Sequence, residues 1–576
     1  MRIAVLDRDK CSPIKCGDKL CKRVCPINRG GEECIVDAND GKVYINEGMC
    51  IGCNICVRRC PFGAISIVNL SEELLSRLVY RYGQNGFTLY SLPTPRFGKV
   101  LGFLGKNGIG KSTALEILGK KLSPNLGIEN PTEHDVMNFF KGSELFNYFE
   151  KLQKLKIAIK PQNLSQLVRY KIKVIDFLLQ FAKKSEINSA AKGISIDYAL
   201  DKNLNELSGG ELQKISILAA TLKDADIYFF DEPLAFLDIC ERIKVSDYIR
   251  NLSKKNKAVV LIEHDLLLLD YMTDYVNIIY GKPGCYGIIA EIRAAKKAIN
   301  DYLSGFLKEE NIRFRDKPIK FDFSSRIREK AYSLFEWPAF TKSYNNFKLK
   351  VDAGSINSKS IVGIAGRNAI GKTTFVKCIA GLLEADEKNL KLKMKISYKP
   401  QYLEENDTQS VTSVVKKEKI NKRLISLLSL EQLMMRQLKQ LSGGELQRLA
   451  IAACLAKEAD VYLLDEPSAY LDVEERLQAA RAIEETIREK ESAAFVVDHD
   501  LLFLSYLADS LIIFSGQSAV SGKASSTYDI MSGMNGLLKM LGITLRKDEE
   551  TGRPRINKPD SVLDREQRKK GNFFQT

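Results

Sequence analysis

Apolar residues along the chain gather into short, nearly unbroken runs that read as buried strands: 100–104, 157–159, the IYFFD that ends at Asp231, and the VYLLD that ends at Asp465. Two longer apolar stretches, 259–280 and 493–514, are interrupted by Glu263, His264 and Asp265 and by Asp498, His499 and Asp500. No stretch offers ~18 uninterrupted apolar residues, so buried strands and helices are expected and no membrane domain. The start, MRIAVLDRDK, lacks the apolar centre of a signal peptide, which points to a cytoplasmic protein. Around 131–155, HDVMNFFKGSELFNYFEKLQKLK places aromatics at helical spacing and predicts a helix pair.

Polar signals sit where the apolar runs stop, and they occur twice. Leu-Ser-Gly-Gly-Glu-Leu-Gln fills 207–213 and again 441–447. Serine, two glycines and then glutamate predict a helix start, with the serine as cap and its amides turned to an anion. Upstream of each copy lies a G-x-x-x-x-G-K-[ST] loop, GKNGIGKS from Gly105 to Ser112 and GRNAIGKT from Gly366 to Thr373. Downstream come Asp231-Glu232-Pro and Asp465-Glu466-Pro, then His264 and His499. Ser208 to Asp231 and Ser442 to Asp465 are both 23 positions, and the carboxylate-to-histidine steps are 33 and 34. The chain is an internal duplication.

These paired motifs resemble the two nucleotide-binding domains of an ABC-type ATPase. The resemblance implies that backbone amides of Gly105, Asn107, Gly108 and Gly110, and of Gly366, Asn368 and Gly371, cradle ATP phosphates. Lys111 and Lys372 would reach the β and γ oxygens, with Thr113 and Thr374 alongside. Ser112, Gln162 and Asp231 would hold Mg2+ in one half, and Thr373, Gln401 and Asp465 in the other. Glu232 and Glu466 are expected to activate water, His264 and His499 to contact the γ-phosphate, and Gln162 and Gln401 to sense the metal and the attacking water. Tyr82 with Phe87, and Tyr344 with Phe347, are expected at adenine, where plain core aromatics are the alternative. Each signature would complete the opposite site: Ser442, Gly444 and Glu445 the Lys111 site, and Ser208, Gly210 and Glu211 the Lys372 site. Asp238 and Asp472 would couple the two. One departure stands out, Asn368-Ala369 where the first loop has Asn107-Gly108: if that position needs φ above zero, alanine is penalised there by roughly 1 kcal/mol.

Length and charge then bound the rest. The 576 residues exceed one core and suit three or four domains, and a net charge of +15 admits a polyanionic partner such as RNA. Nine of the 13 cysteines lie in the first 60 residues. Cys50, Cys53, Cys56 and Cys60-Pro61 form the bacterial ferredoxin run, in which the fourth thiolate crosses to the other cluster. Cys11, Cys16, Cys21 and Cys25-Pro26 precede it. Two 4Fe-4S clusters are predicted, one on Cys11, Cys16, Cys21 and Cys60, the other on Cys50, Cys53, Cys56 and Cys25. Cys34 is expected to be a non-ligand. Zinc, the rival for cysteine quartets, usually shows two C-x2-C knuckles instead.

A ferredoxin-like domain fused ahead of twin cassettes resembles the E subfamily of ABC proteins, the RNase L inhibitor or ribosome-recycling family, in its archaeal form. That resemblance implies an α/β protein with a ferredoxin-like domain at 1–75, a first cassette at 76–292 with an insertion at about 131–155, a hinge segment at 293–335, a second cassette at 336–541 and a second hinge segment at 542–576. It implies ATP hydrolysis that splits ribosomes into subunits, the insertion on the small subunit and its rRNA, and a release factor or Pelota as partner. It also implies a monomer whose cassettes form an intramolecular pseudo-dimer. Arg313 and Arg315, flanking Phe314, are a hinge clamp or an RNA contact. A transporter ATPase, an ABC-F translation factor and an ATP-driven electron carrier are the alternatives. The first two lack a ferredoxin domain, and a redox-dependent ATPase would mark the third.

Overall fold

A computed structural model of the protein describes residues 2–321, 332–344, 346–387, 394–400 and 409–575. Each apolar run becomes a strand of a sheet, central at Val100–Leu104, Ile227–Asp231 and Val461–Asp465 and at the edge for Ile157–Lys160. In the first half the order is Leu78–Arg81, Thr88–Tyr90, Tyr286–Ile289, Tyr275–Lys282, Val100–Leu104, Ala258–Ile262, Ile227–Asp231 and Ile157–Lys160, and the last five are parallel. Val100–Leu104, Ile227–Asp231 and Ala258–Ile262 are buried at every position, which is why they read as unbroken apolar runs rather than alternating ones. The second half repeats this order with Phe340–Tyr344, Phe347–Val351, Ser521–Ala524, Ser510–Gln517, Ile361–Ala365, Ala493–Val497, Val461–Asp465 and Ile396–Lys399. Parallel strands release their loops at one edge, so both phosphate loops, both carboxylate pairs and both histidines emerge at strand C-termini.

The halves differ between loop and signature. In the first, helices Glu133–Phe140 and Glu144–Leu152 form a pair, with Phe140 stacked on Phe149 at 4.7 Å between centroids. The Tyr148 hydroxyl donates to the Leu118 carbonyl at 2.6 Å and fastens the pair to the cassette core. Thr132 and Asp135 close a capping box at its start.

At the N-terminus, Arg2–Leu6 pairs antiparallel with Ile65–Asn69, and Ile35–Asp37 with Val43–Ile45. Helices Leu20–Val24 and Ile55–Arg59 are related by a shift of 35 residues. Lys19 and Asn54 precede them with φ of 56° and 59°, and Cys25 and Cys60 follow in extended backbone. This small domain is seated on the first cassette through Asn85, which is 1% exposed. Its amide donates to the carbonyls of Ala4 and Ile45 at 3.0 Å and its oxygen accepts from the Ile45 amide at 2.8 Å. Arg81 and Glu47 bridge the same seam at 3.1 Å.

After the second cassette the chain returns to the first. Strands Leu545–Lys547 and Pro554–Ile556 pair, and helix Val562–Lys570 follows. Arg553 and Arg555 both bond Asp270, on the first-cassette helix Leu266–Met272, while Asn300 donates to Asp548 at 3.1 Å and to Glu550 at 2.7 Å.

Candidate functional site

The phosphate loops owe their shape to glycine. Gly110 and Gly371 open helices Lys111–Leu118 and Lys372–Ile379 at φ of 100° and 97°, and a β-carbon there would come 2.8 Å from the Phe87 ring and 3.0 Å from Leu349, with the Phe347 ring at 3.1 Å. Phe87 and Phe347 are therefore packed on the loops, whereas Tyr82 and Tyr344 are 44% and 48% exposed. Tyr82 keeps its hydroxyl 3.2 Å from Thr113 Oγ1. Gly108 has φ 69° and Ala369 φ 56°, so the second loop does place an alanine in left-handed backbone.

Lys111 Nζ donates to the carbonyls of Gly105 and Lys106 at 2.7 Å, and Lys372 Nζ to those of Gly366 and Arg367 at 2.8 and 2.7 Å. Burial pulls both ammonium groups down to about 8 against the surrounding carboxylates. Ser112 Oγ lies 3.0 Å from Asp231 Oδ2, and Thr373 Oγ1 3.0 Å from Asp465 Oδ2. A hydroxyl and a carboxylate meeting at the mouth of a phosphate loop fit the oxygen ligands of Mg2+. Burial pushes the Asp231 carboxyl up to about 6, helped by the adjacent Glu232 charge.

Glu232 and Glu466 sit at φ of 45° and 48°, a conformation glutamate rarely adopts. Gln213 and Gln447, the last residues of the repeated heptad, hold these turns: each donates its amide to the carbonyl of Glu232 or Glu466 at 2.6 Å. Gln162 Nε2 donates to Glu232 Oε1 at 2.8 Å, and His264 Nε2 lies 3.2 Å from the same oxygen. Burial raises the Glu232 carboxyl, but His264, Gln162 and Lys111 outweigh it and hold the group at about 2. In the other half His499 Nε2 is 3.3 Å from Lys372 Nζ and 3.6 Å from Glu466. Gln401 lies outside the described residues.

Both signature helices, Gly209–Thr221 and Gly443–Ala456, begin with a complete capping box, Ser208 with Glu211 and Ser442 with Glu445. The glutamates are engaged within their own cassettes, pairing with Lys202 at 2.9 Å and Arg436 at 2.7 Å. Hence the serines and glycines, rather than the glutamate carboxylates, are left to meet an anion from the other half. Both signatures open on one continuous cleft between the cassettes, shared with both phosphate loops, Glu232, Glu466, His264 and His499.

The halves touch across that cleft. The Asn107 amide donates to Asp472 Oδ2 at 3.0 Å and the Asn368 amide to Asp238 Oδ2 at 2.8 Å, so each phosphate loop is gripped by the residue just past the opposite carboxylate pair. Phe236 and Tyr470, both at φ 63°, meet edge to face between them. Sequence reasoning missed Gln213, Gln447, Lys202, Arg436 and the buried Lys160 and Lys399, which donate to the carbonyls of Asp231 and Asp465 at 2.8 Å. The matching positions of these residues in the two halves were the available signal.

In the N-terminal domain, Cys25, Cys50, Cys53 and Cys56 line one cavity together with Cys34, and Cys11 lies within electrostatic reach of Cys16 and Cys60, as does Cys21 of all three. The second predicted quartet is thus brought to one cavity with Cys25 crossing over, and Cys60 lies near Cys11, Cys16 and Cys21. Burial pushes the Cys21 thiol up to about 11 and that of Cys56 to about 12. As neutral thiols they pack without penalty; as thiolates, the form that ligates iron, they would need a positive group to take their charge, which an iron–sulfur cluster supplies. Cys34, expected to be a non-ligand, is buried and lines the same cavity as the second quartet.

The family model for ABC transporter matches 94–235 and 349–469, the 4Fe-4S binding domain matches 43–66, and the possible Fer4-like domain in RNase L inhibitor matches 1–33. An uncharacterized ABC transporter ATP-binding protein of Methanocaldococcus jannaschii is 45% identical over 100% of this chain and 97% of its own length. ABC transporter E family member 1 of Arabidopsis thaliana is 41% identical over 100% and 98%. Among solved structures, the model of ribosome-bound archaeal Pelota and ABCE1 aligns with TM-score 0.95 and 45% identity, covering 100% of this chain and 99% of that one. A complex of the archaeal ribosomal stalk protein aP1 with the archaeal ribosome recycling factor aABCE1 aligns with TM-score 0.83 and 42% identity, covering 87% and 100%. With two ABC-type ATPase domains, an iron–sulfur-binding N-terminus and relatives of this identity along its whole length, the chain belongs to the E family of ABC proteins, that of the RNase L inhibitor.

Proposed function

We propose that the protein hydrolyses ATP at two composite sites and uses the closure of its cassettes to split ribosomes into subunits. The observation that carries the reading is the reciprocal grip of Asn107 by Asp472 and of Asn368 by Asp238, since each nucleotide site then borrows a wall from the other half. Lys111 and Lys372 would bind the β- and γ-phosphates, and the amide ends at Ser442 and Ser208 would cap the γ-phosphate from across the cleft. Ser112, Asp231 and Gln162, and Thr373, Asp465 and Gln401, would hold Mg2+, which neutralises charge on the transferring phosphoryl group. Glu232 and Glu466, oriented by Gln213 and Gln447, would take the proton of the attacking water, with His264 and His499 on the γ-phosphate side.

ATP would be gripped from both cassettes, and loss of the γ-phosphate would release one of the two grips. The iron–sulfur domain, seated on the first cassette through Asn85, would be carried by that motion. Two 4Fe-4S clusters on the two crossed quartets would give that domain its rigidity. The relatives' names supply a ribosome bearing Pelota as the target; a release factor in Pelota's place, and approach at the small subunit and its rRNA with the helix pair at 131–155 and the net positive charge as contacts, complete the reading.

The test is ribosome splitting on density gradients with release factor and ATP, comparing the protein with Glu232→Gln plus Glu466→Gln. Conversion of whole ribosomes to subunits, with the double variant locked on small subunits, is the expected result. A protein that ignores ribosomes while its ATPase follows cluster redox state would overturn the reading in favour of an electron carrier.

A further inference from the structure

The two composite sites are not gripped alike. At the first, Lys106 of the phosphate loop reaches Glu474 of the opposite cassette, Nζ to Oε2 at 2.8 Å, and Arg315 of the hinge segment donates from Nε to Glu474 Oε1 at 3.0 Å. Arg315 is itself fixed, donating to the Tyr302 and Leu303 carbonyls at 2.8 and 3.2 Å and lying over the Tyr302 ring at 4.9 Å. Lys106 also offers its carbonyl to Lys111 Nζ, so the ion pair bears on the loop that holds the phosphates. Glu474 stands two positions after Asp472. The residue two positions after Asp238 is Cys240, and beside it lies Arg367, the counterpart of Lys106. Arg367 therefore lies near a thiol at the position where Lys106 pairs with a carboxylate.

We propose that Glu474 is a positioning residue of the first nucleotide site. Held by Arg315, it ties Lys106 across the cleft and keeps ATP at that site longer than at the second, where Cys240 stands in its place. The inference rests on the reading of two composite ATP sites given above. Arg315 and Glu474 side chains are only 13% and 15% exposed, so this pair escapes most solvent screening, while Lys106 at 41% does not. The hinge segment thereby takes part in one nucleotide site.

The test measures release of radiolabelled ATP from the full-length protein carrying Glu232→Gln and Glu466→Gln, with Lys372→Ala or Lys111→Ala added to leave a single site. Glu474→Cys is expected to speed release from the first site about fivefold, the worth of a ~1 kcal/mol ion pair, and to leave the second unchanged. Cys240→Glu is expected to slow release from the second site by a similar factor, a gain that misfolding does not produce. Raising salt should hasten first-site release in the parent and less so in Glu474→Cys. Unchanged first-site release in Glu474→Cys, or equal acceleration at both sites, overturns the proposal. Failure of the starting protein to retain ATP at either site removes the two-site reading, and the latch with it.

Discussion

Alanine at φ 56° in the second phosphate loop stands where the first loop has glycine at φ 69°. Left-handed backbone costs an alanine ~1 kcal/mol relative to glycine, partly offset by the glycine's greater freedom when unfolded. Ala369→Gly should therefore stabilise the second loop by about 0.5–1 kcal/mol, read as tighter ATP binding in a Lys111→Ala background that isolates this site. A second expectation concerns pH. Lys111 and Lys372 are held at about 8 against an ordinary 10.5, so between those values the empty folded protein binds fewer protons than the unfolded chain. Their contribution to stability therefore rises with pH across that window and falls on acidification toward 8. Phosphate favours the charged ammonium, so ATP binding should take up protons above about pH 8 and weaken as pH rises further; calorimetry in buffers of different ionisation enthalpy reads that uptake. Both lysines were legible in the sequence, because a phosphate loop announces its lysine by spacing. The strained turns at Glu232 and Glu466 were not, because φ is set by what holds the chain, and Gln213 and Gln447 do so from another helix.

Among elements, the strands were the most legible. A parallel strand covered on both faces has no polar position to break the run, and Ile227–Asp231 and Val461–Asp465 show this. The signature helices announced their starts for a local reason too, a serine capping three residues ahead. What connects the elements was hidden. Asn85 sits in a polar loop between Tyr82 and Phe87 and looks like an ordinary turn residue, yet its side chain carries three hydrogen bonds into the iron–sulfur domain. Asn85→Ala would leave the Ile45 amide and the Ala4 and Ile45 carbonyls unpaired at a buried seam, each costing ~1–3 kcal/mol if water does not enter. The expected outcome is a loosened domain on an intact cassette, seen as faster amide exchange in 2–69 without loss of ATP binding.

At the scale of the whole molecule, the duplication was legible because four ordered motifs recur at matched spacing, and the relation of the halves was not, because Asp472 and Asn107 are 365 positions apart. The C-terminal segment has a composition that suggests disorder, but Asp270 neutralises Arg553 and Arg555 at a site where Arg553 and Asp270 side chains are 1% and 4% exposed. Asp270→Ala should strand buried guanidinium charge at a cost of about 3–5 kcal/mol, read as early melting and raised amide exchange in 542–575.

The C-terminal segment thus returns to the first cassette at Asp270 and to Asn300 in the segment that also holds Arg315, through which the chain leaves toward the second cassette. In connectivity the second cassette is a long excursion whose exit and return share one footing. Such a body can swing but not depart, so the partner surface is always within reach, and if the two halves close on ATP as proposed, that closure is a first-order event independent of protein concentration. Dilution, which dissolves a two-chain sandwich, should leave this one's closing rate unchanged.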